Sequence, residues 1–115
     1  MPAIHIKTSA PLVGSTSVEL LQRVSKMAAE ILGKPEQYVM VTLQSAEMMM
    51  SGQNAAAAWV EVRSIGGLRQ EVNKRMTQKL CSLLKLELGI GAERVYINYS
   101  DIAPENWGWN NDLFG

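Results

Sequence analysis

The chain begins MPAIHI, and the chemistry of its second residue depends on what precedes it. Removal of an initiator methionine ahead of a small residue leaves Pro2 as an uncapped secondary amine, whereas a retained Met1 makes the same nitrogen an amide and no base. General base catalysis near pH 7 needs a group that is neutral at that pH yet still basic enough to pull a proton. An α-amino group titrates at about 7.7 to 8 in model peptides, and apolar burial or nearby positive charge lowers that value. At a folded value of about 6, roughly nine tenths of the amine is neutral at pH 7. The pyrrolidine ring also fixes the geometry. Structure offers a plainer reason for the residue: proline cannot donate to a sheet ladder and is accepted at the first position of a strand. Taken alone, that reason is the commoner one.

Other chemistry is sparse. The single cysteine, Cys81, has no intrachain partner, and with the single histidine, His5, it cannot supply the three or four ligands of a zinc site. No cofactor and no metal are expected. His5 alternates with isoleucines and reads as a satisfied polar residue, Cys81 lies among leucines and reads as a buried, inert thiol, and Met48, Met49 and Met50 read as gap fillers at a packed surface. The GIG of residues 89 to 91 ends a helical stretch instead of opening one, which defeats a dinucleotide reading.

The elements that must position these residues are legible. AIHIKT (3 to 8) alternates like a half-buried strand. Thr16 and Glu19 have capping-box spacing ahead of a helical face made by Leu20, Leu21, Val24, Met27, Ala28, Ile31 and Leu32, and Gly33 and Pro35 stop that helix. YVMVTLQ (38 to 44) is apolar enough for a strand buried on both faces. AAAAWVEV (55 to 62) is strand, Gly66 and Gly67 turn, and Val72, Met76, Leu80, Leu83, Leu84 and Leu88 stripe a second helix before Gly89. RVYINY (94 to 99) is strand again. A displacement of 56 residues lays Leu32-Gly33 over Leu88-Gly89, and Val39 and Val41 over Val95 and Ile97. An internal duplication, about 1 to 50 and 55 to 105, explains the match.

Two strand-helix-strand units give an α+β, two-layer domain over residues 1 to 115, a four-stranded sheet with both helices on one face. The strands read as apolar, so the uncovered face is expected to be an association surface and the protein an oligomer. Apolar residues make up 47% and charged residues 19%, ordinary usage for a folded chain. Eleven basic residues balance eleven acidic ones, which leaves no net field for nucleic acid or anionic membranes. No signal peptide and no membrane-spanning run is visible, so the expected location is the cytoplasm.

The order of MP, GKPEQY (33 to 38), SIG (64 to 66), KLC (79 to 81), RVYINY, and GWNN (108 to 111) with Phe114 resembles the macrophage migration inhibitory factor family of the tautomerase superfamily across essentially the whole chain. The resemblance implies a homotrimer whose sheets form a central barrel, with active sites at subunit boundaries around Pro2. It further implies that Lys34 and the Ile65 amide hold a substrate carboxylate, that Asn98 of a neighbouring subunit bonds the enol oxygen, and that Tyr96, Trp109 and Phe114 wall a pocket suited to phenylpyruvate. Outside that context, Lys34 is a lysine meeting a helix C-terminus, and Asn98 and Tyr96 are ordinary strand residues.

The expected function is cofactor-free keto-enol tautomerisation of small 2-keto acids. The alternative is a cytokine-like, protein-binding module with an idle pocket and a receptor as partner; members of the family can be exported without a signal peptide. A third class, proline-based decarboxylation or hydration, wants further acidic or basic pocket groups that are not evident. Some members carry a Cys-x-x-Cys pair where this chain reads AAAAWVEV, so thiol-disulfide exchange is not expected. Trp107 stands where a smaller apolar residue is usual, and its bulk narrows or re-aims the pocket.

Overall fold

Period-two alternation in the first strand and 3.6-residue periodicity in the helices both resolve onto one interface. In the computed structural model, which describes residues 1–115, β1 (Pro2–Thr8) is followed by α1 (Gly14–Leu32), β2 (Met40–Ser45), β3 (Ala58–Ser64), α2 (Gln70–Leu88) and β4 (Val95–Asp101). A short C-terminal hairpin pairs β5 (Gly108–Trp109) with β6 (Asp112–Leu113). The main sheet runs β2-β1-β3-β4, with β1 parallel to β2, β3 parallel to β4, and β1 antiparallel to β3 at the centre.

The displacement seen in the sequence carries one half onto the other. Moving 56 residues takes β1 onto β3 and α1 onto α2, residue for residue at both ends, and takes the 3-10 turn Glu36–Tyr38 onto Ala92–Arg94. Each half therefore presents the same surface to the other. Ile4 and Ile6 of β1 and Val60 and Val62 of β3 point to the helix side, where Leu20, Val24 and Ala28 of α1 meet Met76, Leu80 and Leu84 of α2. All ten are completely or almost completely buried. Burial of side chains of this kind contributes about 1.5–3 kcal/mol each for the larger ones, which makes this layer the main source of stability.

Both long helices end as the glycines foretell: Gly33 and Gly89 are left-handed, at φ 65° and 71°. A Cβ on Gly33 would meet nothing within 4 Å, so the cost of Gly33→Ala is confined to the backbone. That variant is expected to lose about 1 kcal/mol of stability, read as a lower urea midpoint with an unchanged slope. The start of α1 is different from expectation. The helix begins at Gly14 with Val13 as its cap and no side-chain capping bond, so Thr16 already lies inside the first turn and no capping box forms. Glu19 pairs with Arg23 at 3.1 Å instead.

Two further expectations are corrected. β2 is an edge strand, with only Val41 and Leu43 packed on the core, because nothing in the chain covers its outer edge. The bare sheet face is also not a broad apolar patch. Alternation sends the aliphatic residues inward and leaves Lys7, Thr42, Gln44, Glu61, Arg63, Asn98 and Ser100 outward, with His5 donating to or accepting from Thr42 at 2.7 Å. The large apolar groups on that face are Met40, Trp59 and Tyr96. Apolar runs such as YVMVTL misled because only every second residue of a strand can reach the core.

The long connection between β2 and β3 is held by one guanidinium. Arg94 donates to the carbonyls of Met50, Gln53, Ala55 and Ala56 at 2.9–3.2 Å. Met49 on that connection is exposed, and the three methionines lie beside Trp59 and Tyr96 instead of filling a closed surface. Cys81 is half-buried, and burial raises its thiol pKa, which keeps thiolate scarce at neutral pH. No helix is long and apolar enough to cross a membrane.

Candidate active site

Pro2 leads β1 opposite Ser64 of β3, and both are fully buried. The loop after Ser64 turns through two left-handed glycines, Gly66 and Gly67, at φ 71° and 79°. Two bonds fix it: Ser64 Oγ donates to the Gly66 carbonyl at 2.8 Å, and the Gly66 amide donates to Asp101 at 3.0 Å. This places the Ile65 carbonyl within 3.0 Å of Lys34 Nζ, which donates to it. Lys34 follows the left-handed Gly33, so the sharp end of α1 aims its ammonium back toward the start of β1.

The opposite wall comes from the C-terminal hairpin. Its turn residues Asn110 and Asn111 have φ of 51° and 68°, the left-handed pair that a two-residue hairpin of type I′ demands and that asparagine tolerates. The turn explains the physical meaning of GWNN: it folds Trp109 and Phe114 onto one side, where their rings stack at 5.5 Å and an angle of 8°. Tyr38 meets Trp109 edge-on at 5.5 Å. Between these walls and β1 lies a cavity of about 240 Å³ that Met1, Pro2, Tyr38, Trp107, Trp109 and Phe114 line.

The electrostatics of the cavity favour a neutral amine. The α-amine in this structure belongs to Met1, and burial first, then the positive charge of Lys34, hold its pKa below the ordinary value. No three His, Cys, Asp or Glu side chains converge anywhere in the chain to hold a metal ion. A larger cavity, about 480 Å³, opens at the other end of the sheet between Ser9, Glu47, Met48, Met49 and Asn54, with Glu47 as its single ionisable group.

The structure thus brings Pro2, Lys34, Ile65, Trp109 and Phe114 together. Ile65 meets Lys34 through its carbonyl. Tyr38 and Trp107 also line the pocket; sequence reading had given Tyr38 no role, although it stands four residues after Lys34 in GKPEQY. Tyr96 and Asn98 lie elsewhere, on the far edge strand. Tyr96 pairs with Trp59, which pairs with Lys7, and Asn98 pairs with Glu61, which pairs with His5. Two strand spacings across and three to five residues along put them about 14–19 Å from Pro2 within one chain. Tyr96 is 62% exposed.

This arrangement recurs in known proteins. The family model for macrophage migration inhibitory factor matches residues 1–115. The chain belongs to that family. The mouse macrophage migration inhibitory factor is 35% identical over 115 residues, covering 99% of each chain. The homologue from Trichuris trichiura is also 35% identical, over 99% of this chain and 100% of its own. Among solved structures, the homologue from Prochlorococcus marinus superposes with a TM-score of 0.94 at 40% identity, over 98% of this chain and 99% of its own. The α+β fold and the family membership inferred from the motifs are therefore shown by sequence and by structure.

Proposed function

We propose that this member of the macrophage migration inhibitory factor family is a cofactor-free keto-enol tautomerase of small 2-keto acids such as phenylpyruvate, acting as a homotrimer with Pro2 as its base and acid. One observation carries the reading: the α-amine just ahead of β1 sits by an aromatic-walled cavity, and burial first, then the charge of Lys34, lower its pKa. With Met1 removed, the free amine becomes the Pro2 nitrogen, which lines the same cavity.

In the proposed cycle Lys34 Nζ, which donates to the Ile65 carbonyl and whose charge acts on the N-terminal amine, pairs with the substrate carboxylate. Pro2 takes a proton from C3. The C–H electrons form the C2–C3 double bond, and the carbonyl pair moves to O2, where an Asn98 amide from a neighbouring subunit stabilises the growing charge. Protonated Pro2 then passes that proton to O2 to complete the enol, and the reverse sequence, O2 proton to Pro2 and Pro2 proton to C3, restores the keto acid. Trp109 and Phe114 offer flat faces to an aryl tail.

The assay that tests the reading follows the enol absorbance of phenylpyruvate with protein whose mass shows that it begins at Pro2. Absence of turnover by that form overturns it. Lys34→Met is expected to raise KM about tenfold, by loss of a charge-assisted bond. Since the lysine charge lowers the amine pKa, its removal also shifts the acid limb of the rate profile to higher pH.

The name of the curated relatives, with its reference to cell migration, favours one second reading, a cytokine-like protein contact. Pro2→Gly separates the two: tautomerisation is lost with the ring, whereas a role carried by the outer surface is retained.

A further inference from the structure

The Pro2 cavity has a neighbour that tautomerisation of phenylpyruvate does not use. A second cavity, about 300 Å³, shares Ala3, Trp107 and Gly108 with the first and adds His5, Arg63 and Asn106. Trp107 is the partition between them. In the central register Arg63 lies opposite Ala3, the residue after Pro2, so both side chains leave the same face of the sheet with Cβ atoms about 5 Å apart. Lys34 therefore acts on the N-terminal amine directly, while Arg63 emerges on the bare face beside Ala3, one residue along from Pro2.

Arg63 is weakly engaged. Its ion-pair partner is Glu61 at 3.5 Å, the long limit of a hydrogen bond, and the other Glu61 oxygen accepts from Trp59 Nε1 at 2.9 Å. A guanidinium is built to grip a planar carboxylate with two parallel N–H groups. Here it lines the cavity next to that of the base with a single long bond to Glu61, and Asn106 lines the same cavity. His5 keeps Nε2 free, since Nδ1 is bonded to Thr42 at 2.7 Å.

We infer that Arg63 receives a second carboxylate, at the end of the substrate remote from the keto group, so that the preferred class is a 2-keto dicarboxylic acid whose chain passes the edge of Trp107. The inference rests on the tautomerase reading for the role of Pro2 and Lys34, and it narrows the substrate. An aryl tail would stop against Trp109 and Phe114; an acidic tail gains the Arg63 side.

The experiment compares 2-oxoadipate with 2-oxoheptanoate, of similar length but lacking the second charge, on protein that begins at Pro2. Calorimetric titration gives affinity without requiring turnover, and proton NMR in deuterium oxide follows exchange at C3. The diacid is expected to bind about tenfold tighter than the monoacid. In Arg63→Gln that ratio falls toward one, and in Arg63→Lys it recovers in part, while thermal melting confirms that each variant is folded. A ratio near one in the unmodified protein, or an unchanged ratio in Arg63→Gln, overturns the Arg63 site. If the ratio holds and depends on Arg63 but C3 does not exchange for either acid, the binding inference stands and the base assignment fails.

Discussion

Protein that keeps Met1 is expected to enolise phenylpyruvate about 10²–10⁴-fold more slowly than protein that begins at Pro2, the usual contribution of a positioned general base. Acylation delocalises the proline lone pair into the peptide bond, and nothing else in the cavity replaces it: its lining holds no carboxylate and no imidazole. The Met1 amine is no substitute, because it hangs beyond the strand on a rotatable residue while the Pro2 nitrogen is locked into the first position of β1 opposite Ser64. The pH dependence follows from the same surroundings. A cationic acid whose pKa is lowered loses its proton earlier as pH rises, so kcat/KM of the Pro2 form climbs with a midpoint below the range of about 7.7–8 where a free α-amine would titrate. Lys34→Met reverses part of that shift. Intact mass identifies each form and the enol absorbance gives its rate; equal rates at matched concentration would remove Pro2 from the mechanism.

Much of this geometry is readable before folding because it is local. The stripes Leu20, Val24, Ala28 and Val72, Met76, Leu80, Leu84 are spaced by helical periodicity, and Gly33 and Gly89 end their helices in a conformation that glycine adopts without strain. The pocket residues Lys34, Ile65, Trp109 and Phe114 are legible through the family motifs, and each motif has a structural cause: a helix stop, a double-glycine turn, an asparagine hairpin. What local pattern misses is which way a strand faces. Residues 38 to 44 look uniformly apolar, yet Met40 and Thr42 leave the core side while Val41 and Leu43 enter it. The capping signal at Thr16 fails because the helix begins two residues earlier, at Gly14, on the carbonyl of Val13. The Trp107 partition is also invisible in sequence, since it depends on where the tail returns against β1; the Phe114 amide bonding to the Trp107 carbonyl at 3.1 Å closes that return.

Mixing two disabled variants is expected to restore activity that neither has alone. Pro2→Gly exchanges the fixed ring amine for a freely rotating primary amine, and Asn98→Ala removes a donor to the developing oxyanion, a loss of about 10²–10³-fold by itself. Within one chain Asn98 is separated from Pro2 by β3 and by three residues of strand, about 14 Å, several times the reach of an asparagine side chain. Only a second copy can bring the pair together. In randomly assembled mixed trimers, about one quarter of the seams join an intact Pro2 from one chain to an intact Asn98 from the next, so the mixture recovers about a quarter of the unmodified rate. Co-refolding the two variants and assaying the product reads this directly. If both groups served the same chain's pocket, no seam would contain a complete set and the mixture would stay as slow as its parts.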